Sequence, residues 1–174
     1  MILCPLQNTE VYGLSIQKRP VITQHFGENP DMYKQFNIEA HNGYDYRASV
    51  GTPIFASIDG VVKVSNQGTK GYGLYIKQRG AGREVVYAHL SQAHVQSGQH
   101  VHMGDFLGYS GNTGYSTAPH LHLGMRRYKD VYNDVWACPV LDYDNGYNGW
   151  LPIMSPDGII QVITWKGTLN TFTL

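Results

Sequence analysis

Pro53-Ile-Phe-Ala-Ser-Ile-Asp-Gly-Val-Val-Lys-Val-Ser65 is a pair of short apolar runs hinged at Asp59-Gly60, and its reading decides the fold. β-Branched and aromatic residues suit a pleated, half-buried surface, and Asp-Gly is a tight-turn dipeptide. The same grammar continues downstream. Gly73-Leu-Tyr-Ile-Lys-Gln78 and Glu84-Val-Val-Tyr-Ala88 flank the glycine-rich turn Arg79-Gly-Ala-Gly82, and Phe106-Leu-Gly-Tyr-Ser110 and His120-Leu-His-Leu-Gly-Met125 follow. Turn signals at spacings of roughly 8–12 residues predict an all-β, mainly antiparallel chain, a barrel-sandwich-like core of short strands. No stretch repeats apolar residues with a helical period. A short helix is expected only around residues 31–35 or at 91–94, where Ser91 can serve as N-cap.

A length of 174 residues allows one domain with a real core and is short for two. Residues 1–19 read as an N-terminal arm, 20–127 as the core and 128–174 as an extension packed on it. That extension holds the turn-rich Asp142-Tyr-Asp-Asn-Gly-Tyr-Asn-Gly149 and a final strand, Ile159-Ile-Gln-Val-Ile-Thr-Trp165. Thirteen basic and 13 acidic side chains cancel, which removes the electrostatic reason to expect nucleic acid or an anionic membrane as partner. No segment approaches the roughly 18 apolar residues of a membrane span. Met1-Ile-Leu-Cys-Pro-Leu-Gln-Asn-Thr-Glu10 lacks the charged and apolar regions of a secretory signal, so synthesis in the cytoplasm without an export address is expected. Cys4 and Cys138 have no metal-type spacing and are expected to be free structural thiols. The 20 Gly fit tight turns, and the 13 Tyr fit half-buried strand positions or a surface that binds peptides or sugars.

Two short-spaced pairs carry the chemistry. His41-Asn-Gly-Tyr-Asp45 places an imidazole and a carboxylate four residues apart, and Asn42-Gly43 favours a bend over a helix interior. In Pro119-His-Leu-His122 both imidazoles share one face of a strand, while Leu121 and Leu123 can anchor the other in the core. One carboxylate and three histidines supply what a mononuclear zinc enzyme needs: three ligands, an open position and an acid–base group. Spacing does not say which of His120 and His122 would hold the metal. A lone histidine is more often a surface or hydrogen-bonded residue, and His25 and His94 are read that way. His100-Val-His102 repeats the spacing of the second pair, but its turn-like surroundings favour solvated rings. His89 ends an apolar strand and is ambiguous by itself.

At these residues the chain resembles the lysostaphin-type (LytM-like) zinc peptidoglycan endopeptidases. The likeness runs from about Val21 to Met125. It includes Thr23-Gln-His-Phe-Gly27, His41-Asn-Gly-Tyr-Asp45, Gly51-Thr-Pro-Ile-Phe-Ala56, Asp59-Gly-Val-Val62, Gly71-Tyr-Gly73, Tyr87-Ala-His-Leu90, Gly111-Asn-Thr-Gly114 and Pro119-His-Leu-His122. The resemblance implies that His41, Asp45 and His122 ligate one zinc ion, and that His89 and His120 are the unligated catalytic pair.

It further implies hydrolysis of peptide bonds in peptidoglycan cross-bridges or stem peptides. The substrate groove is expected between loops near 28–40, 66–72 and 112–118, with Tyr33, Tyr72 and Tyr115 along it. Lacking an export signal, such a protein would reach the wall through a phage, as a lysin or with virion-tail partners. Competing readings are a non-catalytic wall-binding or activator module, a virion structural protein on the same fold, and a lipoyl-type carrier. For the carrier, neither Lys63 nor Lys70 sits in the required tight turn.

Overall fold

The computed structural model describes residues 5–6 and 21–153, with the backbone of residues 10–11, 14–15, 160–163 and 169–172. In chain order the strands are β1 (Glu10–Val11), β2 (Leu14–Ser15), β3 (Ile22–Gln24), β4 (Tyr44–Arg47), β5 (Pro53–Phe55), β6 (Gly60–Asn66) and β7 (Leu74–Gly80). There follow β8 (Arg83–Ala93), β9 (His100–Val101), β10 (Phe106–Ser110), β11 (His120–Arg127), β12 (Trp150–Leu151), β13 (Ile160–Ile163) and β14 (Leu169–Phe172). A one-turn helix, α1 (Pro30–Tyr33), runs into a 3-10 turn over Lys34–Phe36. Asn37 closes that turn in the left-handed conformation. Among the described residues no helix is long and apolar enough to cross a membrane.

β1 pairs with β2, and β13 with β14. The other ten strands form one antiparallel sheet in the order β3-β4-β11-β8-β7-β6-β9, with β12 on β11 and β10 joining β8 to β5. Period-two alternation sorts the central strands into two faces. Leu121 and Leu123 of β11, Val85 and Tyr87 of β8, Ile76 of β7, and Tyr44 and Tyr46 of β4 enter a single apolar core that also holds Ile54 of β5 and Leu107 of β10. Each fully buried aliphatic side chain there contributes about 1.5–3 kcal/mol. The intervening residues, Asp45, Glu84, Val86, Ala88, His120, His122 and Arg126, turn to the opposite face. Leu6 bridges to Ile54 and joins the core, and Trp150 pairs with Arg126 across β12 and β11.

One irregularity sets the position of the site. Tyr87 pairs with Ile76 and Leu90 with Leu74, so Ala88 and His89 together stand opposite the single Tyr75. Such a bulge inserts one unpaired residue and bends its strand. His89 absorbs it with φ +61°, a left-handed conformation that non-glycine residues seldom adopt. Tyr87 and Leu90 are both fully buried in the core, three residues apart, and His89 is swung to the opposite face. Beyond the bulge β8 runs past the end of β7, and Leu90, Gln92 and Ala93 pair with β10, which carries the sheet on to β5. This crossing makes the architecture sandwich-like.

The helix expected near 31–35 is present, but residues 91–93 are strand. Gln92 and Ala93 pair with Tyr109 and Gly108, and Ser91 Oγ donates to the Ser110 carbonyl at 2.8 Å instead of capping a helix. Long-range pairing outcompetes a local cap there. His100 lies in a strand, opposite Val61, where turn-like surroundings were expected; its ring and that of His102 are solvent-exposed as anticipated. Cys138 is a buried free thiol, and Cys4 lies outside the described residues. Of the final strand expected over 159–165, Ile160–Ile163 is strand and the remainder lies outside the described residues.

Candidate active site

β4 and β11 are neighbours in register, with His122 opposite Asp45 and His120 opposite Arg47. That pairing, not the local sequence, brings the two motifs together. His41 enters from the segment before β4, and a bend at Gly43 lies between the two. Three atoms converge: His122 Nδ1 lies 2.9 Å from Asp45 Oδ1, His41 Nε2 lies 3.1 Å from the same oxygen, and the two nitrogens are 3.0 Å apart. All three residues are buried. Tetrahedral zinc with bonds of about 2.0–2.1 Å has its donors roughly 3.3 Å apart, so the set fits such an ion.

The surrounding hydrogen bonds select the ligating atoms. His41 Nδ1–H donates to the His25 carbonyl at 2.9 Å, which leaves the Nε2 lone pair on the inner side. Glycine is required at position 43 for space. A Cβ there would stand 2.6 Å from His122 Cε1 and from the Leu123 carbonyl oxygen, and 2.8 Å from His122 Nε2. Among the described residues His122 Nε2 is buried without a hydrogen-bond partner, so packing positions that side of the ring while Nδ1 meets Asp45. Burial by itself would raise the pKa of Asp45, but the hydrogen bonds and charges of His122 and His41 outweigh it and hold the carboxyl far below its ordinary range. Burial, opposed by Asp45, lowers the pKa of His122.

Two more imidazoles complete the cluster. His89 and His120 rings lie tilted against each other with centroids 4.6 Å apart, and the His89 ring meets that of His122 edge-on at 6.0 Å. His89 Nδ1–H donates to the Thr113 carbonyl at 2.8 Å, and His120 Nδ1–H to the Ala118 carbonyl at 2.8 Å. Both Nε2 atoms are therefore left as acceptors, that of His120 lying 3.6 Å from Asp45 Oδ2. Burial first, then the His122 and His120 charges, push the pKa of His89 down to about 4.

The five residues named from the sequence thus meet on one sheet face. Asp45, His89, His120 and His122 line a cavity of about 430 Å³, with His41 buried beside them. Tyr33, Tyr72 and Tyr115 also line it. The Tyr33 ring packs tilted against His41 at 5.3 Å, Tyr72 likewise against His122 at 5.3 Å, and Phe36 and Tyr115 meet at 5.2 Å. Asn42 Nδ2 donates to the Tyr72 hydroxyl at 2.9 Å. His25, His94, His100 and His102 have no part in the cavity lining.

The sequence reading missed Lys77, Arg126 and Trp150, which line the same cavity. Arg126 was findable, since it follows His122 by four positions and shares its strand face. Trp150 was not, because only the pairing of β12 with β11 brings it there.

Residues 39–134, more than half of the chain, match Peptidase family M23, and the chain belongs to that family. Peptidoglycan DD-endopeptidase ShyA of Vibrio cholerae is 40% identical over 85 residues, covering 49% of this chain and 20% of that protein. Glycyl-glycine endopeptidase ALE-1 of Staphylococcus capitis is 42% identical over 86 residues, covering 47% of this chain and 23% of that protein. The chain thus spans about a fifth to a quarter of the curated relatives' length. The catalytic domain of the antimicrobial peptidase lysostaphin from Staphylococcus simulans superposes with a TM-score of 0.55 at 28% identity, covering 72% of this chain and 90% of that domain. The fold is that of the M23 peptidases, whose metal is zinc.

Proposed function

We propose that the chain is a zinc-dependent endopeptidase that hydrolyses peptide bonds in bacterial peptidoglycan. In this reading His41, Asp45 and His122 hold one zinc ion, and His89 and His120 act beside it as the unligated acid–base pair. The observation that carries it is the convergence of three buried donor atoms within 2.9–3.1 Å of one another, with two further imidazoles opening on the same cavity. Zinc held there supplies Lewis acidity, which lowers the pKa of water and polarises a carbonyl.

His89 is suited to take a proton. Its pKa near 4 keeps it neutral at pH 7, and its hydrogen bond to Thr113 presents Nε2 as the acceptor. The imidazolium so formed returns that proton to the leaving amine, and His120, held the same way by Ala118, faces the reacting carbonyl beside it as the second member of the pair. The tyrosine-lined cavity accommodates an extended peptide between the loops at 28–40, 66–72 and 112–118. Likeness to a DD-endopeptidase and to a glycyl-glycine endopeptidase supports cross-linking peptides as substrates, either stem peptides or bridges. Residues 20–127 form the catalytic core in this proposal, with 1–19 as an arm and 128–174 as an extension; phage delivery and virion-tail partners play no part in it.

The test is digestion of purified peptidoglycan by the zinc-loaded protein, followed by turbidity and by mass spectrometry of released muropeptides. Cleavage at cross-links that a chelator abolishes is the expected outcome. Intact cross-links of both the direct and the bridged type after prolonged digestion would end the proposal.

A further inference from the structure

On the sheet face that carries the histidines, the two ends differ in charge. Beyond Val86 and Trp150, Glu84 is buried at 1% side-chain exposure and meets three cations. Arg79 Nε lies 2.5 Å from Glu84 Oε2, Arg126 Nε 2.8 Å from Oε1, and Lys77 Nζ 3.6 Å from Oε1. Three positive charges against one negative leave a largely buried excess, which is costly unless an anion joins it.

Arg79 is held by further partners and does not line the cavity. Its Nη1 donates to the Val135 and Cys138 carbonyls, and its guanidinium lies 4.9 Å over Tyr128 and 5.1 Å over Trp136. Lys77 and Arg126 do line it. Lys77 has a Glu84 approach of 3.6 Å and a distant Tyr75 ring, and Arg126 uses Nε on Glu84 and Nη1 on the Asn148 carbonyl, leaving Nη2 without a partner among the described residues. That cavity also holds His89, His120 and His122, and among the described residues its acidic lining is Asp45 alone.

We infer that Lys77 and Arg126 form a carboxylate-binding subsite at the far end of this cavity, so that the preferred peptide carries a carboxylate about four residues from the bond that is cut. The inference rests on the peptidase reading above and adds a substrate preference to it. The spacing comes from β11: His122 and Arg126 are four positions apart on one strand face, about 13 Å, which is the reach of about four extended peptide residues. The wall between them is aromatic. Arg126 lies 4.7 Å over Trp150, Trp150 and Tyr72 rings are 6.3 Å apart, and Tyr72 reaches His122. Excluding water along that wall strengthens charge pairing at its end. A guanidinium edge and an ammonium suit a carboxylate, the first by direction and the second as a point charge. A neutral glycine bridge leaves both cations unanswered, whereas a stem peptide with a free terminal or side-chain carboxylate answers them.

The experiment uses synthetic stem-type peptides of one sequence in three forms: free acid, amidated at the C-terminus, and amidated at the acidic side chain. Binding to the metal-free full chain is measured by titration calorimetry, and cleavage by the zinc-loaded chain by chromatography. One of the two amidations is expected to weaken binding at least about tenfold. In Lys77→Met and Arg126→Gln the ratio between acid and amide should fall toward one. Equal binding of all three forms to the wild-type chain would overturn the subsite. Discrimination without cleavage would instead count against the hydrolase and leave the subsite standing, and cleavage of all forms alike would do the reverse.

Discussion

Gly43→Ala probes the ligand cluster without touching a ligand. The new methyl carbon would stand 2.6 Å from the Leu123 carbonyl oxygen and 2.6 Å from His122 Cε1, about 0.8 Å inside ordinary van der Waals contact on each side. Leu123 pairs with Tyr44 in the sheet and its side chain is in the core, so that carbonyl cannot retreat without opening β4 from β11. The imidazole must then move off Asp45, from which it is now 2.9 Å away. Overpacking of this kind costs about 1–3 kcal/mol. At roughly 2–4 °C per kcal/mol for a chain of this size, the metal-free Tm should fall by about 2–12 °C. Zinc affinity should drop by about tenfold to a hundredfold, the range for disturbed support of a metal ligand. Thermal melts of the metal-free protein and competition with a chromogenic zinc chelator read the two effects separately. An alanine variant with wild-type Tm and zinc affinity within twofold would refute the claim that position 43 is glycine for space.

His41→Ala, Asp45→Ala and His122→Ala should each lose zinc and activity together, whereas His89→Ala and His120→Ala should keep the metal and slow turnover about 10²–10⁴-fold; full metal stoichiometry in His122→Ala speaks against the ligand set. The left-handed backbone at residue 89 makes a second test: His89→Gly should be more stable than His89→Ala by about 1 kcal/mol, and equal stabilities would deny strain at the bulge. Glu84 is penalised by burial, but Lys77, Arg126 and Arg79 outweigh that and hold its pKa below the usual range. A depressed folded pKa stabilises the fold above the unfolded value, near 4.3, and this is lost as pH falls through the folded one. Glu84→Gln should therefore cost about 3–5 kcal/mol at pH 7, with a shallower loss of stability on acidification than wild type in urea melts. Parallel curves would show that Glu84 is not the linked group.

The strands from Pro53 to Met125 could be read from alternation and turn chemistry because both are local. A residue's face follows from its parity, and Asp-Gly or Gly-rich dipeptides stop a strand whatever lies elsewhere. The pairing of His120 with His122, and of each with a leucine behind it, was readable for the same reason. Parity failed at residue 89, where simple alternation puts His89 on the core face with Tyr87. It is the bulge against Tyr75 that turns His89 outward. A local capping signal likewise misplaced a helix at residues 91–94, where pairing with β10 prevailed.

Motif spacing narrowed the candidate metal ligands to a handful of residues, and resemblance to a known family selected among them. Tertiary structure supplied the distances between them, because His41 and His122 are separated by 81 positions and meet only through the register of β4 on β11. It also gathered Lys77, Glu84 and Arg126 from three strands and closed the cavity with Trp150. Periodicity encodes which face a side chain takes, but the choice of neighbour across a sheet depends on the whole core packing at once.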